Sequence, residues 1–164
     1  DHHQLPGDVT GRAIGQEANC GGDLVGCAAA TDGGERARDL LVEAASAADS
    51  PTEALRAIIV SFSRWHAEHY ELGRIVQFEF RHLRQEHRDA VLGLRKEIDQ
   101  VVAGVLRDGV DTGEFAVTDV PATALALLSM AIDVARWYAP DVRRTPTAIE
   151  ATYGELAVRL VHSG

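Results

Sequence analysis

Ser50-Pro51-Thr52-Glu53-Ala54-Leu55-Arg56-Ala57-Ile58-Ile59-Val60-Ser61-Phe62-Ser63-Arg64-Trp65-His66-Ala67-Glu68-His69 is the stretch on which the fold turns. Ser50 is a good helix cap, and Pro51 gives up no hydrogen bond at the first helical position. Glu53 stands where it can reach back to complete a capping box. Behind these signals Leu55, Ile58, Ile59, Phe62, Trp65 and His69 recur at steps of three and four, one apolar stripe along a helix. Gly73 is the expected break.

Downstream, Ile75 to Phe80 partly alternates as a strand would, yet Leu72, Ile75, Val76, Phe80 and Leu83 also share a helical face. There is no second strand for it to pair with, and an isolated strand leaves its backbone groups unsatisfied. A short helix is therefore expected. Glu86 to Asp111 follows as a long helix with the stripe Val91, Leu94, Ile98, Val101, Val102, Val105 and Leu106, closed by Gly109 and Gly113. Asp119-Val120-Pro121 starts another helix. From Ala122 to Tyr138 it is apolar on nearly every side, so it needs cover all round. Thr145-Pro146 caps the last helix, whose stripe is Ile149, Tyr153, Leu156 and Leu160, with Ala157 and Val161 alongside.

Upstream, Glu35 to Ala48 reads as an alanine-rich helix. The 34 residues before it hold eight glycines, each costing a helix interior roughly 1 kcal/mol against alanine. Residues 1–34 are therefore expected to be loops with at most short helical pieces, an acidic segment with no recognisable helix-turn-helix. Residues 35–164 are expected to form the folded domain: an all-α, antiparallel bundle of about six helices.

Composition limits the function. Sixteen basic residues face 25 acidic ones, a formal charge of -9 over 164 residues. Residues 1–50 alone hold nine acids against three arginines. Gripping phosphate backbones needs clustered Lys and Arg, so direct nucleic-acid contact is disfavoured. No run of about 18 apolar residues is present, and Asp1-His2-His3-Gln4 lacks the order of a signal peptide, so no membrane role is expected. Cys20 and Cys27, with six residues between them in a glycine-rich stretch, match neither a redox pair nor half of a zinc site, and read as incidental thiols in a reducing cytoplasm.

Chemistry-bearing groups are few. His66 and His69 lie three apart, and Glu79-x-x-His82 has the spacing of di-iron bundles, but no second Glu-x-x-His occurs. Neither a metal nor another cofactor is expected. There is no Gly-x-Ser-x-Gly turn, and Ser61 or Ser63 near His66 is ordinary helix spacing, so an enzyme is not expected. Asp133 sits in the most apolar helix, three residues from Arg136: either an ion pair or a polar point lining a cavity. Phe62, Trp65, Phe78, Phe80, Trp137 and Met130 supply material for an apolar cavity between helices.

Taken together, Trp65-His66-Ala67-Glu68-His69, Ile75-Val76-Gln77-Phe78-Glu79, Leu106-Arg107-Asp108-Gly109-Val110 with Gly113-Glu114-Phe115, and Ala124-Leu125-Ala126-Leu127-Leu128 leading to Ala135-Arg136-Trp137-Tyr138 are familiar in their order. Residues 51–162 resemble the C-terminal effector-binding and dimerisation domain of TetR-family transcriptional regulators. The resemblance implies a cytoplasmic homodimer whose last two helices pair with their copies through Leu125, Leu128, Ile132, Trp137, Tyr153, Leu156 and Leu160. It implies a cavity for a small hydrophobic effector, lined by Phe62, Trp65, His69, Phe80, Ile98 and Met130, with Asp133 as its polar point. DNA would be reached only through a reading head not evident in this chain. Two other readings stand beside it: a free-standing helical binding protein, and a metal-dependent helical enzyme using His66, His69 and Glu79.

Overall fold

A computed structural model describes residues 19–141 and 143–162. Among them are six α-helices and no strand: α1 (Asn19–Ser46), α2 (Pro51–Glu68), α3 (Tyr70–Glu79), α4 (Gln85–Asp111), α5 (Val120–Trp137) and α6 (Pro146–Val161), with a 3-10 turn over Phe80–His82. The all-α expectation holds.

The caps form where the residues invite them. Ser50 Oγ accepts from the Glu53 amide at 3.2 Å, and Glu53 reaches back to the Asp49 amide, one residue beyond the expected partner. Asp119 caps α5 from the Ala122 amide and Thr145 caps α6 from the Ala148 amide. Gly113, at φ +77°, makes the turn after α4.

Two expectations are corrected. The break after α2 falls at His69, while Gly73 lies buried inside α3. A β-carbon on Gly73 would stand 2.6 Å from the Ala135 β-carbon, so glycine is kept there for close packing of α3 on α5. The larger correction concerns the N-terminal segment. Residues 1–18 lie outside the described part, but Asn19 to Gly34 belongs to α1, a continuous 28-residue helix. Tertiary packing outweighs the helix penalty there. A β-carbon on Gly33 would come 2.8 Å from Leu72 Cδ2, and one on Gly34 would come 2.9 Å from Leu94 Cδ1, so α1 nests closely against α3 and α4.

Helix α2 is the hub, packing against α1, α4, α5 and α6. Its Leu55, Ile58, Ile59 and Phe62 meet Leu41, Val102, Leu106, Leu127, Leu128, Ala131, Ala157 and Val161 in the main core. Each large aliphatic side chain among them contributes about 1.5–3 kcal/mol by leaving water. Helix α5 is long and apolar enough, by length and composition, to cross a membrane, but it packs on α2, α3 and α4. Its Ala124, Leu127, Leu128, Ala131, Val134 and Ala135 are buried, whereas Leu125 is 62% exposed. Helix α6 likewise turns Ile149, Gly154, Ala157 and Val161 inward and leaves Leu156 and Leu160 outside.

The seven residues expected to pair two chains therefore divide. Leu125, Leu156 and Leu160 are exposed. Leu128 is 2% exposed and belongs to the protomer's own core, so it presents nothing to a partner. Trp137 and Tyr153 are half-buried against Ala67, Val134 and Ile149, and Ile132 turns inward, as described next.

Candidate ligand cavity

Between α1, α2, α3, α4 and α5 the side chains leave an apolar cavity of about 90 Å³. Helix α1 contributes Gly33 and Gly34, whose missing side chains make part of the space. Phe62, Trp65 and His66 come from α2, Leu72, Gly73, Val76 and Gln77 from α3, Leu94, Arg95 and Ile98 from α4, and Ile132 from α5. A larger hollow of about 500 Å³ over Leu40, Glu43, Ala47 and Ser61 opens broadly to solvent. The smaller cavity is the better candidate, because apolar walls from five helices converge there on a few polar groups.

His66 is the most perturbed of those groups. Its Nδ1–H donates to the Phe62 carbonyl at 2.8 Å, and its ring lies edge-on to Phe62 and Trp65 at 4.4 and 4.9 Å. Burial pushes its pKa from the ordinary 6.5 down to about 4, against the opposing pull of the Phe62 carbonyl. The imidazole is therefore neutral at neutral pH. With the proton on Nδ1, Nε2 is left as an acceptor. That ring edge faces α3: a β-carbon on Gly73 would lie 3.8 Å from His66 Cδ2.

Helix α3 is tied to α5 behind the cavity. Arg74 donates to the carbonyls of Ala135, Arg136 and Tyr138 at 3.0, 3.3 and 2.6 Å, satisfying the last turn of α5, and it rests on the Tyr70 ring at 5.0 Å. Gln77 donates to the Ile132 carbonyl at 3.3 Å. At the α4 wall, Arg95 lies over the Phe80 ring at 4.5 Å.

Of the seven residues expected to line a ligand site, Phe62, Trp65 and Ile98 line this cavity. His69 does not: it is exposed and stacks on the outer side of Trp65 at 4.7 Å. Phe80 packs with Leu83 and Val91 and supports Arg95 without lining the cavity. Met130 is half-buried against the main core. Asp133 accepts from Arg136 at 2.6 and 3.1 Å with its side chain 44% exposed, and that bond holds its carboxyl below the usual range. It is an ion pair on the surface, the first of its two readings.

The sequence reading misses His66, Gly33, Gly34, Gln77 and Arg95 at the cavity, together with Ile132, which the resemblance assigns to an interface. His66 is legible, since it stands four residues after Phe62 and shares its face. Nothing in the sequence marks Arg95. His66 faces inward while His69 faces out, and among the described residues no three of His, Cys, Asp and Glu gather as metal ligands would. The side chains of Cys20 and Cys27 lie outside the described part.

Six helices, five of them walling an apolar cavity, make an all-α domain. The family described as "Tetracyclin repressor-like, C-terminal domain" matches residues 48–161, and the chain belongs to that family, that of the TetR transcriptional regulators. A bacterial regulatory protein of the tetR family from Rhodococcus RHA1 is 28% identical with a TM-score of 0.79, over 85% of this chain and 73% of that one. The TetR-family regulator PfmR from Thermus thermophilus is 26% identical with a TM-score of 0.66, over 84% and 71%. The regulator FadR from Bacillus subtilis, solved with stearoyl-CoA, shares the fold at 19% identity and a TM-score of 0.69, over 85% and 76%. No curated protein matches the chain.

Proposed function

We propose that this chain is the ligand-sensing and dimerising part of a TetR-like transcriptional regulator of the repressor type, working in the cytoplasm by binding and not by catalysis. Its effector is a small hydrophobic molecule, and DNA is met through a helix-turn-helix not recognisable in these 164 residues. The observation that carries this reading is the apolar cavity walled by α1 through α5.

The cavity's position supports a mechanism. Its volume is below the roughly 150 Å³ of a cavity that accepts one benzene, so a ligand of useful size must push the walls apart. The wall freest to shift is α1, because Gly33 and Gly34 closely approach only the flexible tips of Leu72 and Leu94, whereas Gly73 of α3 is locked against the Ala135 β-carbon of α5. Filling the cavity therefore moves α1 relative to α3 and α4. Because α1 leads toward the N-terminal segment, that movement re-spaces whatever reading heads a dimer carries. The ligand shifts the population only by its differential affinity for the two arrangements, and a swing from 1:99 to 99:1 takes about 10⁴-fold. Pairing of two copies draws support from Leu125, Leu156 and Leu160, which leave apolar surface exposed on α5 and α6.

The test uses the regulator carrying its reading head, with a gel shift on its own upstream DNA and a panel of short apolar compounds. Compounds that perturb Trp65 should also release DNA. A compound that occupies the cavity to saturation and leaves DNA affinity unchanged would overturn the sensing role.

A further inference from the structure

We propose that the cavity takes an amphipathic anion, an organic carboxylate whose charged group is held by Arg95 while its apolar body lies along Phe62, Trp65, Leu72 and Ile98. This rests on the reading of the cavity as the effector site.

The argument starts from what the walls lack. Among the described lining residues Arg95 is the charged one. His66 is a neutral acceptor, and the Gln77 amide is engaged with the Ile132 carbonyl. Four arginines on the helices packed against α4 are already committed. Arg38, Arg56, Arg64 and Arg136 each bond a carboxylate: Glu97 and Asp39, Glu155, Glu68, and Asp133. Among the described residues Arg95 has no hydrogen-bonded carboxylate, and Asp99, one turn on, attracts it through space. The Phe80 ring supports the guanidinium, which makes no hydrogen bond among the described residues.

A cation so placed is suited to a carboxylate. Arg95 stands at the exposed rim of the cavity, its guanidinium stays charged, and the charge-assisted bond it can give a carboxylate is stronger than a neutral one. The chain's net charge of -9 disfavours anions at long range, and a local cation offsets that repulsion. Orientation follows from the acceptor. The lone pair of His66 Nε2 repels a carboxylate, so the charged end stays at Arg95 and the apolar end points toward His66 and Gly73. The cavity's size limits the part buried at first contact to a short chain.

The experiment compares hexanoate, hexanol and hexylamine by titration calorimetry, with the indole NMR signal of Trp65 reporting that the cavity is the place of binding. Hexanoate should bind at least about tenfold more tightly than hexanol, as expected for a hydrogen bond to a charged group, and hexylamine most weakly. Arg95→Gln should remove the preference for hexanoate while leaving hexanol unchanged, and Arg95→Lys should keep part of it. Equal binding of hexanoate and hexanol, or a preference that survives Arg95→Gln, would overturn the anion assignment and leave the cavity as an apolar effector site. If none of the three perturbs Trp65, the effector reading fails with it.

Discussion

Protonating His66 should cost the fold a measurable share of its stability. Burial lowers its pKa from 6.5 to about 4, while in the unfolded chain it titrates near the ordinary value. Between those two values the unfolded state binds more protons than the folded one, so stability rises with pH across the window and falls as the solution is acidified. At about 1.36 kcal/mol per unit, the full difference is about 3 kcal/mol, of which about 2 kcal/mol falls between pH 7 and pH 4.5. Other histidines and carboxylates titrate over the same range, so the comparison is with His66→Asn. There an amide N–H can donate to the Phe62 carbonyl in place of Nδ1–H and never charges. Urea unfolding of both proteins from pH 7 to 4.5 should show the wild type losing about 2 kcal/mol more than the variant. An NMR titration of the imidazole gives the pKa directly. Parallel stability curves, or a His66 pKa near 6.5, would refute the claim that the ring is dry and neutral.

Gly73→Ala should destabilise by about 1–2 kcal/mol in urea melts, since overpacking against Ala135 outweighs the better helix propensity of alanine. Gly93→Ala, where an added β-carbon meets nothing within 4 Å, should instead stabilise by up to about 1 kcal/mol; the same sign at both sites would contradict the packing argument. Arg74→Met removes three bonds to the carbonyls ending α5 and should cost about 2 kcal/mol by the same measurement, whereas an unchanged midpoint would mean water replaces them freely. Leu125→Glu combined with Leu160→Glu should convert a dimer to a monomer in size-exclusion with light scattering, with little change in the protomer's own core because both side chains are exposed. A dimer that persists at micromolar concentration would move the pairing surface elsewhere.

The helices from Pro51 onward are legible because local and periodic signals agree. Ser50, Asp119 and Thr145 cap as their chemistry suggests, and the stripes of α2 and α4, apart from His69, face inward. The N-terminal part of α1 is not legible, because propensity counts each glycine as a cost and is blind to a neighbouring helix that needs the room. The same blindness affects the cavity. Its aromatic walls, Phe62 and Trp65, stand out in the sequence, but part of the space itself is made by residues without side chains. On α5 an apolar residue can face either its own core or the outside. Periodicity cannot separate Leu128, which is buried, from Leu125, three residues earlier and exposed. Arg95 is invisible because what distinguishes it is its place at the cavity wall, and that is known only once the helices are packed.

The glycines of the cavity also bear on how such a sensor changes over generations. Glycine and alanine codons differ by a single base, so the volume at Gly33 and Gly34 lies a single mutation from being reduced. At both places the new methyl group would meet the mobile tip of a leucine, Leu72 or Leu94, which can swing aside. At Gly73 it would meet the β-carbon of Ala135, fixed to the α5 backbone, which cannot. Drift in ligand preference is thus open on the α1 side and closed on the α3 side. Descendants of this protein can acquire new chemical tastes through α1 while the α3–α5 joint stays as it is.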